Sequence, residues 1–410
     1  MEVSASYISA GRRGAMRILW VVTKPPWPAR DGGRVAVVNT LRALRKDGHE
    51  PLLVSPFDPR REDRGRLVAA LGEFCEPHLV AAAPRAIAPS IVRARVAGLP
   101  IAVARHTLGA VSDEVERLLT GRACEVVHAE QLHSLPQCSP ARRRSLPIVL
   151  RAQNVESDLW SGLAARWPLV RGLVRRESAR LARYEGQAVR EVAATVALTA
   201  RDAERLCALS GRRSGVHALA APFPDRLPPA SAPLDGAPAV VVLTSDWLPN
   251  RDGAAWFCRT VWPEVRAHSP RAVLHLFGAA RGSGMPIGGV GHEAPAESQE
   301  AFAPGAVLAV PLRIASGVRV KILEAWARGV PVVATPAAAA GLDVRDGEEL
   351  LIASDPRGFA AAIHRLHVDR SFAHRSVDAG RVLLRVRHDP ARIASELARI
   401  YAEVAHRWPR

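Results

Sequence analysis

At 410 residues, with 48% hydrophobic and 23% charged side chains, the chain is long enough for two globular domains with separate cores. Its formal net charge is +16, but aromatics are only 5% and the arginines are spread along the whole length, which argues against a nucleic-acid binder; no apolar run reaches membrane-span length. Cys75, Cys124, Cys138, Cys207 and Cys258 are scattered and form no C-x-x-C, which excludes a disulfide framework or a cysteine zinc site and points to a reducing, cytosolic setting.

In chain order, residues 1–15 (MEVSASYISAGRRGA) show no periodic pattern and read as a disordered extension, with Met16 a second candidate initiator. RILWVVT (17–23) has the branched, apolar pattern of a buried parallel strand. A loop rich in Pro and Gly follows, containing Asp31, Gly32, Gly33 and Arg34, and then a helix, VAVVNTLRALRKDGHE, ending near Gly48. PLLVSP is the next strand, so the chain opens as a doubly wound α/β domain. CEVVHAE (124–130) and PIVLRAQN (147–154) are later strands of the same sheet. A helical stretch from about Trp167 to Arg190 places Val170, Leu173, Val174, Leu181, Tyr184 and Ala188 at helical spacing. ATVALTA (194–200) is another strand, with a helix from near Arg201.

The proline-rich stretch 222–238 reads as a linker between a first domain, 16–221, and a second, 239–388. The second repeats the pattern, with strands AVVVLTS, AVLHLFG, AVLAVPL and VPVVATP and a helix, DGAAWFCRTVWPEVRAHS. Residues 389–410 form an amphipathic helix expected to cross back to the first domain. The expected architecture is α/β, two Rossmann-like domains facing each other across a ligand cleft.

One segment stands out chemically. ASGVRVKILEAWARGVPVVAT (315–335) holds Lys321, one of three lysines in the chain beside Lys24 and Lys46. A strand ends near Leu312, a short loop follows, and a helix runs from about Val318 to Arg328 with Gly329 as its C-cap. A helix entered from small residues offers unpaired N–H groups to an anion. Gly317 permits close approach of a phosphate, Arg319 grips oxygens as a fork, and Lys321 acts as a point charge. Glu324, on the same helical face as Lys321, is suited to sugar hydroxyls. The bland alternative is a buried helix with a Lys–Glu pair on its wet face.

SGVRVKILEAWARGVPVVATPAAAAGL resembles the donor-site segment of the two-domain retaining glycosyltransferases of the GT-B fold, family 4 type (glycosyl transferases group 1), in its exopolysaccharide sugar-transferase subgroup. LTSDWLPNRDGAAWF (243–257), WVVTKPPWPARDGGRVAVVNTLRALRKDGHE, VVHAEQLH and LRAQNVESDLW resemble further motifs of that family in order, so the likeness covers nearly the whole chain from Met16. It implies transfer of a sugar, of the hexosyl kind, from a nucleotide-diphosphate sugar to a glycan, lipid-linked or small-molecule acceptor with retained configuration. Glu324 matches the second of two glutamates, the one that holds the ribose; the first falls at Ser316. Arg319 and Lys321 stand where the subgroup binds diphosphate, replacing a pair absent from SDWLPN. Gly317, Val318, Ser316, Ser245 and Gly278 complete the donor set.

On the other side of the cleft, Asp31, Gly32, Gly33 and Arg34 are expected to meet the donor diphosphate or the acceptor. His128 and His133 are expected at a strand end facing the cleft, and Gln153, Asn154 and Glu156 are candidate acceptor contacts. Gln153 stands where relatives carry histidine and cannot serve as a base near pH 7. Glu185 reads as structural. No DxD-like motif is evident, so metal-independent chemistry with no resident cofactor is expected. Three alternatives stay open: another GT-B enzyme such as a nucleotide-sugar epimerase, a non-catalytic sugar-nucleotide binder, and a protein using Arg171, Arg175, Arg176, Arg180 and Arg183 to sit on an anionic membrane. The last is compatible with an enzyme peripheral to the inner face of the membrane.

Overall fold

The branched apolar runs become thirteen parallel strands in two sheets, in a computed structural model that describes residues 14–166, 170–230, 232–245, 247–278, 285–294 and 298–408. The first sheet contains β1 (Arg17–Val21), β2 (Glu50–Phe57), β3 (Glu76–Ala81), β4 (Val126–Glu130), β5 (Ile148–Ala152), β6 (Ala194–Ala197) and β7 (Val216–Ala218), in the order β3-β2-β1-β4-β5-β6-β7. The second contains β8 (Ala239–Leu243), β9 (Val273–Phe277), β10 (Gly289–His292), β11 (Val307–Val310), β12 (Val332–Ala334) and β13 (Leu351–Ile352), in the order β10-β9-β8-β11-β12-β13. In each, the winding direction reverses beside the first strand, between β1 and β4 and between β8 and β11. A crevice opens at the carboxyl ends of the strands at such a reversal, and ligands of open α/β sheets bind there.

Helices cover both faces of both sheets, which is why the strands are nearly continuous in apolar residues. Trp20, Leu41 and Leu44 fill one face of the first sheet, and Phe302 and Trp326 one face of the second. The expected helix after Trp167 is two helices, Glu156–Arg166 and Arg171–Glu191, and Trp167 lies outside the described residues, as do residues 1–13 of the expected extension. Leu173, read from spacing as core, is solvent-facing, because the buried stripe runs through Val174, Glu177, Leu181 and Glu185 instead.

The stretch 222–238 is no free tether. Phe223 and Ala230 are buried in the second sheet's core, and the amides of Leu227 and Ala230 donate to the carbonyls of Ala327 and Phe302 at 3.0 and 3.2 Å. The C-terminal helix, Pro390–Arg407, lies on the first sheet's side: Ile393, Leu397, Ile400 and Tyr401 pack among Ile18, Trp20, Val37 and Leu41. The chain therefore crosses between the halves twice. The two crossings touch, the Phe223 amide donating to the His388 carbonyl at 2.8 Å and His388 Nδ1 lying 2.7 Å from the Ala221 carbonyl oxygen.

Candidate functional site

The two reversal points face each other. The helix Gly32–Lys46 starts directly after the loop that follows β1, and the helix Val320–Arg328 after the loop that follows β11. Their starts adjoin: a Cβ on Gly32 would stand 3.2 Å from Cβ of Val320. Neither helix has an acidic residue in its first turn, though Asp31 caps the first, so two positive dipole ends meet here.

The 316–319 loop is fastened across the junction. Asp202, on the helix Ala200–Ser210 of the first half, accepts the Gly317 amide at 3.1 Å and the Ser316 hydroxyl at 3.3 Å. The Ser316 hydroxyl also accepts the Val155 amide at 2.8 Å. The Asn154 amide nitrogen, turned toward the loop, donates to the Ser316 and Gln153 carbonyls at 2.9 and 3.1 Å. Gly317 has φ +71°, and a Cβ there would lie 2.0 Å from the Gln153 carbonyl oxygen, so only glycine fits.

Behind this latch sit two cations. Arg319 is 6% exposed, and its Nη1 has no hydrogen-bond partner. Burial pulls its guanidinium down to about 10, opposed by the carboxylate of Asp202. The Lys321 ammonium donates to the Leu243 carbonyl at 2.9 Å and to Asn250 Oδ1 at 3.2 Å, which places it at the carboxyl end of β8. Burial, reinforced by the charge of Arg319, pulls it down to about 7. Asn250 in turn donates to the Ser245 hydroxyl at 2.8 Å. A pair of desolvated cations without a facing carboxylate pair costs free energy, and an anion of two charges relieves it.

Glu324 lies one turn further along the same helix. Its carboxylate accepts the Ser298 hydroxyl at 2.5 Å and pairs with Arg328 Nε at 2.9 Å. It is therefore not paired with Lys321, which removes the bland reading of a Lys–Glu pair on a wet face. Gly278, with φ +84°, packs its Cα against the Thr244 carbonyl, where a Cβ would come within 2.3 Å; it shapes the end of β9 beside Ser245. Val318 points away from the cations, into a small apolar contact with Ala36, Leu198 and Ala221 that seals the junction.

Several expectations for the first half are corrected. Gly32 and Gly33 are not a loop but the first turn of a helix, capped by Asp31, whose Oδ1 accepts the Arg34 amide at 2.9 Å. Gly33 is covered by Gln153, whose Oε1 would be 2.6 Å from a Cβ there. Arg34 is occupied, its Nη1 on Asp31 at 2.9 Å and its Nε on the Pro25 carbonyl at 2.9 Å; Lys24 holds the same Asp31 at 2.8 Å. His128 does not face the cleft. It is fully buried, stacked on Trp20 with ring centroids 3.6 Å apart, and bonded to Tyr401 and Glu130. Gln153 is held rigidly, donating to Glu130 Oε1 at 2.7 Å and accepting from Gln131 at 2.7 Å. Glu156 lies 3.5 Å from the Asn154 amide, and burial pushes its carboxyl up to about 7. Glu185 is structural in a specific way: it accepts the Glu156 and Ser157 amides, at 2.6 and 3.0 Å, and so caps the helix Glu156–Arg166.

His133 sits just past β4, its ring centroid 5.5 Å from that of His106. Burial pulls their imidazoles down to about 4 and about 3, the latter helped by His133, Arg105 and Lys24. Sequence reasoning missed His106, Asn250 and Asp202. The Thr-Ala-Arg-Asp run 199–202 is a helix-start signal, Thr199 Oγ1 accepting the Asp202 amide at 3.0 Å, and nothing in that signal says the carboxylate faces another domain. Among the described residues no group of three His, Cys, Asp or Glu side chains is placed to hold a metal ion.

Two α/β units meeting at their carboxyl edges, with the C-terminal helix returned to the first, define the GT-B architecture. Residues 238–369 match the family described as Glycosyl transferases group 1, over the half that carries Arg319 and Lys321. Among solved structures, sucrose-phosphate synthase from Thermosynechococcus elongatus superposes with a TM-score of 0.69 at 15% identity, over 95% of this chain and 99% of that one. Anabaena HepE in complex with UDP-glucose gives 0.64 at 15% identity over 95% and 100%. A glycosyltransferase from Rickettsia africae gives 0.64 at 10% over 96% and 100%. No curated protein sequence matches the chain.

Proposed function

We propose that the protein is a glycosyltransferase that takes a sugar from a nucleotide-diphosphate donor, with retention of anomeric configuration, and places it on a hydroxyl-bearing acceptor. The observation that carries this reading is the buried guanidinium of Arg319, its Nη1 without a hydrogen-bond partner, beside Lys321 at the β8/β11 reversal. The matching family and the UDP-glucose bound by a structural neighbour support it.

In this reading the diphosphate lies against Arg319, Lys321 and the start of the Val320–Arg328 helix. As the glycosidic bond breaks, negative charge grows on the leaving phosphate, and the two cations stabilise it without reorganising. The leaving phosphate takes the acceptor proton on the same face of the sugar. Gln153, held where a histidine is common in the family, then need not act as a base. Glu324, fixed by Arg328, holds the ribose. Ser316 is committed to Asp202 and Val155, and the Gly317 amide to Asp202, so the sugar end relies on Ser245 and Asn250.

Calorimetric titration with UDP, together with turnover of UDP-sugars, tests this. Lys321→Ala is expected to lower transfer about 10²–10³-fold while leaving the circular dichroism spectrum unchanged. Normal turnover in that variant sinks the assignment.

A further inference from the structure

Gln131, directly after β4, holds a backbone conformation that side chains avoid. Its φ is 68° and its ψ 154°. That region belongs almost wholly to glycine, and a side chain persists there only where the surroundings over-determine it. They do so here. The Gln131 amide donates to the Arg151 carbonyl at 2.8 Å, and the Gln131 carbonyl accepts the Ser134 amide and hydroxyl at 3.2 and 3.0 Å. Glycine would relieve the strain. A glutamine retained in spite of it implies a use for the side chain.

The use follows from the direction of the hydrogen bonds. Glu130 is buried; desolvation opposes its charge, but Arg151, His128 and Gln153 outweigh that and hold the carboxyl below its ordinary range. An ionised carboxylate only accepts. It takes the side-chain nitrogen of Gln153 at 2.7 Å, which presents Gln153 Oε1 to Gln131. That oxygen takes Gln131 Nε2 at 2.7 Å, which leaves Gln131 Oε1 as the open end of the chain. The buried carboxylate thus fixes the polarity of a group two amides away. Among the described residues no protein group donates to that last oxygen. Gln131 is half-buried at the β1/β4 reversal, and a Cβ on Gly33, in the first turn of the Gly32–Lys46 helix, would lie 3.6 Å from its Nε2. The start of that helix adjoins Val320, the neighbour of Lys321.

We propose that Gln131 is a binding residue for the acceptor, its Oε1 taking a hydrogen bond from an uncharged hydroxyl beside the one that is glycosylated. This rests on the glycosyltransferase reading, in which the reacting hydroxyl gives its single proton to the leaving phosphate. That hydroxyl has no proton left for Gln131, so the one held there is a second. The acceptor is then a polyol with neighbouring hydroxyls. A carboxylate or phosphate at that position meets a carbonyl oxygen and is disfavoured.

Two variants of the full chain test this. Gln131→Gly and Gln131→Leu both remove the carboxamide, and only the first relieves the backbone. In urea the Gly variant is expected to unfold at a higher midpoint than the Leu variant, although glycine ordinarily lowers it. Glucose, mannose and myo-inositol are titrated with UDP present and followed by saturation-transfer NMR. The wild type is expected to bind at least one of them, and both variants to bind it about five-fold more weakly or worse, with UDP affinity unchanged by calorimetry. A Gly midpoint at or below the Leu midpoint overturns the proposal. So does a wild type that binds none of the three, binding that either variant leaves unweakened, or UDP affinity that falls along with that for the polyol. Polyol binding that responds as expected in a wild type with no affinity for UDP keeps Gln131 as the polyol contact and overturns the glycosyltransferase reading.

Discussion

The Tyr401 hydroxyl lies 2.7 Å from Nδ1 of His128, joining the C-terminal helix to a strand at the centre of the first sheet. From His128 the contacts continue through Glu130, 3.2 Å from its Nε2, to Gln153, which backs Gly33 and Gly317. Burial holds the imidazole well below its ordinary range, so it is neutral and needs a partner on each nitrogen.

Tyr401→Phe removes that partner and keeps the ring. The expected loss is about 1–2 kcal/mol in urea unfolding. Tyr401→Ala also opens a cavity and is expected to cost about 3–5 kcal/mol. UDP affinity in Tyr401→Phe is expected to stay at the wild-type value by calorimetry, since the cation pair is untouched.

Arg319 illustrates a site kept at the expense of the fold. Arg319→Met replaces a desolvated guanidinium by an apolar chain of similar reach. Apo stability is expected to rise by about 1–2 kcal/mol, while UDP binding falls below detection. A variant that loses stability and still binds UDP contradicts the placement of Arg319 in the donor site.

Lys321 gives a pH signature. Its folded value of about 7 lies below the ordinary lysine value of 10.5. Between the two, the unfolded chain holds the proton that the folded chain has shed, so stability rises with pH across that window. Below about 7 the full burial cost stands. A bound diphosphate favours the charged form, so binding near pH 8 takes up a proton and weakens as pH rises. Calorimetry of UDP binding in buffers of different ionisation enthalpy measures the uptake. Lys321→Met, lacking the group, is expected to abolish both slopes.

Gly317→Ala forces a methyl into the Gln153 carbonyl in a left-handed backbone, and Asp202→Ala strips the partners from Ser316 and Gly317. Both are expected to part the two halves and to lower kcat/KM about 10²-fold or more. Small-angle scattering is expected to show a larger radius of gyration for each. Unchanged scattering with full activity tells against the latch.

The nine inner strands were legible because buried parallel strands are written as short apolar runs, and those need no knowledge of their neighbours; the four edge strands, β3, β7, β10 and β13, are short or only half-buried and carry no such run. Lys321 was legible for a compositional reason: a lone lysine among arginines invites a question. What spacing could not supply was the far side of each contact. His128 looked like a cleft residue because its strand ends there; only Trp20 and Tyr401, distant in sequence, reveal that it points into the core. Asp202 was invisible for the converse reason, as its helix-start signal is local and its partners lie more than a hundred residues away. Arg34 and Asp31 read as ligands until their mutual pairing, with Lys24, showed their charges already answered.

The doubled crossing, where Ala221 and Phe223 of the outgoing chain bond to His388 of the returning chain, makes the two passages a single two-ply hinge. Two strands tied side by side resist sliding and twisting apart far more than they resist bending. A rotation about this point is the motion such a pairing would leave easiest. It would separate Asp202 from Gly317 and, in the same stroke, take from Arg319 the carboxylate that opposes the cost of its burial. Under the proposed donor binding, a diphosphate would answer the charge so bared and favour the closed arrangement.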